Sequence, residues 1–169
     1  WFTSMWGNGN ATPSNSLNEM YWVPVWIPAS MTVNSIAITV NTAAATSVIR
    51  LGIWSPDATT QRPGSLVLDC GTVDASTTGV KQIAISQALS PGMIWLSAVS
   101  QVAPSQWRAF TSITGPSIPH AASNLVIQTA GANYLRQSSV TGALPATATP
   151  TFAGNVSGTT VPIIGLVRA

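Results

Sequence analysis

Charged side chains are scarce in this sequence. Only 6% of its 169 residues are Asp, Glu, Lys or Arg, against roughly a quarter in an ordinary soluble domain. The basic residues are scattered singly, so there is no Lys/Arg run to serve as an electrostatic footprint for nucleic acid or an anionic membrane surface. The net charge of +2 and the pI of 9.2 therefore say little. Cysteine is almost absent. Cys70 stands alone, which excludes an intrachain disulfide and a thiolate metal site. It falls on the apolar side of a strand pattern and reads as a buried, inert thiol. Histidine is also single, at His120, and no GxSxG elbow accompanies it. No apolar run approaches the roughly 18 residues of a membrane-spanning helix. Helical periodicity is missing as well. The polar surface has to be made of Ser, Thr, Asn and Gln, a neutral surface suited to a part of a larger assembly.

What the sequence does contain is alternation. Ile49, Leu51 and Ile53 form one apolar face; Leu66, Leu68 and Cys70 a second; Ile83 and Ile85 a third; Ile94, Leu96 and Ala98 a fourth. A period of two is the mark of strands buried on one face. Arg62-Pro63-Gly64, Thr78-Gly79 and Ser90-Pro91-Gly92 separate these runs with residues that set turn φ angles. Further strands are expected at Tyr21–Ile27, Ser35–Asn41, Gln106–Thr111, Asn124–Thr129 and Val161–Arg168. In the last of these, Ile163 and Val167 share one face and Ile164 and Leu166 the other. That suggests a central strand or a subunit contact, although Pro162 and Gly165 disfavour full pairing. About eight or nine short strands predict an all-β fold, an antiparallel β-sandwich of jelly-roll type, as one domain over 1–169. Ser138 to Gly158 is low in complexity and reads as an extended arm outside the core.

The order RLGIW, then RPGSLVLDCGTVDASTTGVKQI, then LSPGMIWLSAVSQ, resembles a β-rich module near the C-termini of phage tail proteins, especially of phages of actinobacteria. Val23-Pro24-Val25-Trp26-Ile27-Pro28 and SIAITVNTAAAT extend the likeness more weakly. Trp54 stands where the module usually has Tyr, and Cys70 where it has a small residue. The resemblance implies a virion protein of the tail, with this chain as the C-terminal piece of a longer one. It implies other tail proteins as partners and a homotrimer. The first 20 residues and the stretch from Trp107 to Ser157 lie outside it.

Candidate chemistry is sparse. Asp57 and Asp74 fall in adjacent loops of the central unit and make a conceivable glycosidase pair. Asp69 and Asp74, however, sit in DCGTVDAS, where short polar residues beside Gly cap turns through the backbone. No EF-hand-like spacing supports calcium at Asp57 or Asp74. The chain is therefore expected to be non-enzymatic, with no metal and no cofactor. Seven tryptophans are the remaining signal. Trp22, Trp26 and Trp95 lie in strand patterns and read as packing residues, in the core or between subunits. Trp6 with Asn8 in the Gly7–Asn10 turn, Trp107 flanked by Gln106 and Arg108, and Asp57 in the polar loop form the expected ligand-binding set. Indole rings stack on sugars while neighbouring polar groups bond the hydroxyls. The sequence thus points to a tail-tip domain that binds a host cell-surface glycan. A structural tail module without receptor contact is the alternative, and a polysaccharide hydrolase the least favoured reading.

Overall fold

The computed structural model describes residues 2–3, 16–109, 134–153 and 161–169. Its strands are β1 Phe2–Thr3, β2 Met20–Ile27, β3 Met31–Thr42, β4 Val48–Pro56, β5 Pro63–Asp74, β6 Gly79–Leu89, β7 Gly92–Gln101, β8 Gln106–Trp107, β9 Tyr134–Gln137, β10 Thr151–Ala153 and β11 Ile164–Arg168. Among the described residues there is no helix. All strand pairs are antiparallel. One sheet runs β1-β11-β3-β6, with β8 also pairing β3; the other runs β10-β9-β2-β7-β4-β5. From β2 to β8 the chain crosses between sheets at every connection except the β4–β5 hairpin, which is jelly-roll topology. Tight turns make these crossings at Gly79 and Gly92, whose φ values of 109° and 130° suit glycine. The expected strand at Asn124–Thr129 lies outside the described residues. The one expected at Val161–Arg168 starts at Ile164, because Pro162 makes only an isolated bridge to Ala109.

The alternation places the core between the sheets. Leu51, Ile53, Ile94 and Leu96 are buried there with Tyr21, Val23, Ile36, Ile38, Ile164 and Leu166. Leu68, Ile83 and Ile85 are only half-buried against this core, because β5 and β6 are terminal strands of their sheets. Leu66 departs from the expected face. Ile53 pairs with Leu68 but Trp54 with Leu66, so Val67 is an extra residue in β5. This β-bulge turns Leu66 to the outer side of the sheet, where it packs against a second cluster.

That second cluster comprises Met20, Trp22, Trp54, Trp95, Val99, Leu135, Val140, Leu144 and Ala148. It lies on the outer face of the six-stranded sheet. The low-complexity segment covers it, contrary to the expected arm: residues 140–148 cross the sheet as a strap. Gln101 Nε2 donates to the carbonyls of Val140 and Gly142 at 2.9 and 2.8 Å. Asp69 Oδ2 accepts from the Leu144 N–H at 3.0 Å. Leu66 N–H donates to Ala146 C=O, and Ala148 N–H to Gly64 C=O, along the edge of β5. Three residues later Thr151 pairs with Arg136 of β9. In a flat sheet β9 and β5 stand about 19 Å apart, four strand spacings. Residues 148 to 151 span at most about 10 Å. The sheet is therefore rolled over its outer face, and one stretch of chain joins its two edges. The described residues thus form two apolar cores, one on each side of this sheet.

Asp69 is the polar anchor of the strap. Arg50 Nη1 bonds both its oxygens at 3.0 and 2.9 Å, and the Gly71 N–H meets Oδ1 at 3.0 Å. Burial, the largest influence, opposes ionisation; the N–H groups of Leu144 and Gly71 and the Arg50 guanidinium together outweigh it and hold the carboxyl below its usual range. The fold thus favours the anion. Its stabilisation is present above the unfolded carboxyl's pKa of about 3.9 and is lost as pH falls through the lower folded value. Asp69→Asn should be clearly less stable than wild type at neutral pH, and the gap should narrow below about pH 4. Denaturant midpoints across pH measure this; a gap that stays constant into acid would contradict the assignment.

The β7–β8 turn carries strain. Val102 has φ 70° and is 67% exposed. A left-handed conformation costs an L-residue roughly 1–2 kcal/mol, and the greater freedom of unfolded glycine returns about 0.4–1 kcal/mol of any relief. Val102→Gly should raise the urea midpoint by the equivalent of about 0.5–1 kcal/mol with an unchanged slope. A lowered midpoint would show that the turn is not strained.

Candidate functional site

The β4–β5 hairpin loop is built around Asp57. Its Oδ1 accepts from Thr59 N–H, Thr60 N–H and Thr60 Oγ1–H at 3.1, 2.7 and 2.8 Å, the local bonding that favours Asp at turns. The backbone closes behind it: Asp57 N–H donates to Arg62 C=O and Gln61 N–H to Asp57 C=O. Trp95 Nε1–H pins the Gln61 carbonyl at 3.0 Å, tying the loop to β7. Gly64 lets the two walls meet, since a Cβ there would lie 2.8 Å from Asp57 N. Thr60, led by its backbone N–H, keeps the Asp57 carboxyl below its usual range, so it is an anion at neutral pH. Beside it opens a cleft of about 490 Å³, with Asp57, Thr60 and Arg62 on one side and Thr147, Thr149 and Thr151 on the other. The rolled edge of the sheet forms its base.

Trp26 stands at the same end of the sandwich. It lies on the outer face of β2 with its ring 69% exposed, whereas Trp22, Trp54, Trp95 and Trp107 are each 1% exposed or less. Trp26 pairs with Met93, which places it diagonally from Trp95, about 7–8 Å away along the sheet. Trp95 in turn holds the hairpin loop. A large apolar ring on a rigid strand, at the end of the sandwich that also carries the Asp57 loop, is suited to stacking on a sugar face. Sequence reasoning missed it, because the strand pattern assigned Trp26 to packing.

The other expected site residues do not gather. Trp107 is fully buried, not in solvent: β8 pairs with β3 at Val40, which turns the indole between the sheets, edge-to-face with Tyr21 at 5.7 Å. Gln106 is half-buried beside Thr42, and Arg108 is exposed with its N–H bonded to Thr39 C=O. Both sit where β3 ends and β4 is about to begin, while Asp57 follows the far end of β4. Nine residues of strand separate them, roughly 25–30 Å. Trp6 and Asn8 lie outside the described residues, as does His120.

Asp57 and Asp74 sit at opposite ends of β5, twelve residues long, and so do not form the pair of carboxyls within about 10 Å that glycoside hydrolysis uses. Asp74 accepts from the Ser76 N–H as a turn cap. Glu19 is committed to Tyr21 and Arg136, with Arg136 Nη1 at 2.7 Å. Burial pushes the Cys70 thiol up to about 12, with the Asp69 charge adding to it. Among the described residues no group of three or more His, Cys, Asp or Glu side chains is placed to hold a metal ion.

By architecture the chain is a jelly-roll β-sandwich with one sheet rolled shut by a strap. Comparison with protein-family models, with curated proteins and with solved structures finds no match in any of the three.

Proposed function

We propose that this chain is a non-catalytic recognition domain at the tip of a phage tail, and that it binds the host cell surface through an envelope glycan during adsorption. The observation that carries the reading is the exposed indole of Trp26 at the same end of the sandwich as a hydroxyl-rich cleft. The likeness of Arg50–Gln101 to a tail-protein module supplies the setting. A surface so poor in charge binds by stacking, shape and neutral hydrogen bonds, so adhesion should depend little on salt. Weak single sites are made effective by many copies in a virion, arranged as trimers with other tail proteins as neighbours. In the alternative reading, a structural module without receptor contact, Trp26 anchors a neighbouring tail subunit.

Trp26→Ala tests the proposal. Removing a stacking indole should weaken cell adhesion by one to two orders of magnitude, about 1–3 kcal/mol. The ring packs little in the isolated chain, so thermal stability should stay within about 0.5 kcal/mol of wild type. Labelled wild-type domain and variant are compared on intact host cells. Equal adhesion by the two removes Trp26 from the site. No adhesion by either, with retained assembly into tails, favours the structural module.

A further inference from the structure

We infer that the cleft between the Asp57 loop and the 147–151 seam is a subsite for one neutral sugar residue, held through its hydroxyl groups. This deepens the glycan reading above and rests on it only for the ligand's being part of a glycan. Three features of the cleft lead there.

The first is the state of Asp57. Its Oδ1 is saturated by the turn, but Oδ2 accepts no hydrogen bond among the described residues. The carboxylate is thereby fixed in orientation with one oxygen left to accept hydroxyl protons at the cleft. An anionic oxygen is a strong acceptor for a hydroxyl donor, and with Arg62 in the same lining the cleft carries no net charge to draw in an anion. The second is the facing wall. Thr147 and Thr149 line the cleft, and neither hydroxyl bonds another group among the described residues. A threonine hydroxyl both donates and accepts, as a sugar hydroxyl does. The third is rigidity. One wall is pinned by Trp95 and the other by Ala148 N–H on Gly64 C=O. Thr149 N–H is held by Gln137 Oε1 at 2.9 Å. Little ordering is left for binding to impose, which favours weak but specific recognition. The volume of about 490 Å³ lies within the range of small-molecule sites. Asp57, the one carboxyl of the lining, is held below its usual range by Thr60 and so is a hydroxyl acceptor rather than a general acid at neutral pH.

The test is a titration of the ¹⁵N-labelled full chain with D-galactose, D-glucose, D-mannose and D-arabinose in turn, and separately with inorganic phosphate. At least one neutral sugar should shift the amides of 57–64 and 147–151 with millimolar affinity, and phosphate should not. Asp57→Asn should weaken that sugar about tenfold, the loss of one charge-assisted bond. Because Asp57 also organises its loop, Thr149→Val is the second variant; its turn and seam bonds stay intact, and it should weaken binding several-fold. Silence from all four sugars, a response to phosphate at the same amides, or sugar affinity unchanged in both variants would overturn the subsite. Cell adhesion through Trp26 with a silent cleft leaves the glycan reading standing without this site. A sugar bound here without cell adhesion leaves the site standing without that reading.

Discussion

Trp107→Ala should cost the protein about 3–5 kcal/mol. The indole has no exposed surface, packs edge-to-face on Tyr21, and belongs to the core between the sheets. Its removal leaves a cavity bounded by β3 and β2, elements that cannot collapse without breaking sheet register. The loss is a large part of the roughly 5–15 kcal/mol that holds a domain folded. A fall of about 6–20 °C in melting temperature is expected, together with any loss of adhesion. Trp26→Ala should do the reverse, lowering adhesion and sparing stability. If Trp107→Ala melted like wild type, the inward orientation of β8 would be wrong.

The second large effect concerns the strap. Gly52 on β4 leaves the hollow that Leu144 fills: a Cβ at position 52 would stand 2.3 Å from Leu144 Cδ1 and 2.9 Å from Ser97 Oγ. Ser97 Oγ accepts the Trp54 indole N–H at 2.8 Å, so it is not free to yield. Gly52→Ala should therefore push Leu144 outward and destabilise the protein by about 1–3 kcal/mol. Leu144→Ala should cost about 2–4 kcal/mol through lost burial over Trp54 and its neighbours. The informative measurement is the double variant. With the Leu144 side chain gone, the alanine methyl has room and fills part of the void. The pair should then be at least 1 kcal/mol more stable than the sum of the single effects predicts. Strict additivity would mean that Leu144 does not seat over Gly52. Both single variants should also raise hydrogen exchange across 140–148, because the strap's backbone bonds to β5 and Gln101 depend on the seat.

Much of the sandwich was legible in advance. β4 and β7 are long, regular and buried on the face that alternation assigns, so Leu51, Ile53, Ile94 and Leu96 could be placed one by one. Turn chemistry located the hairpin after Pro56 and the β6–β7 connection at Gly92. Where the sequence misled, the cause was local or long-range geometry that parity does not carry. Leu66 shares parity with Leu68, yet the bulge at Val67 separates them. Trp107 follows a Pro-Ser-Gln stretch that resembles an exposed strand exit, but β8 adds to the edge of β3 and turns the ring inward. Trp26 has strand parity like Trp22 and stays exposed, because the strap covers the outer face over Trp22 and not at the end of β2.

The sequence by itself determined the class of secondary structure, the core between the sheets, the turn role of Asp74 and the neutrality of the surface. These follow from period, composition and φ preferences, which act within a few residues. Only the tertiary structure decided that a Thr-, Ala- and Gly-rich segment closes a second core. It also decided that Asp57 faces Thr149 across a cleft, and that Trp26 is the exposed indole among the described residues. Each of these depends on how far a rolled sheet brings its two edges together. That distance is set by bulges, by Asp69 anchoring a backbone 75 residues away, and by a hollow one glycine wide. None of them leaves a periodic mark in the chain.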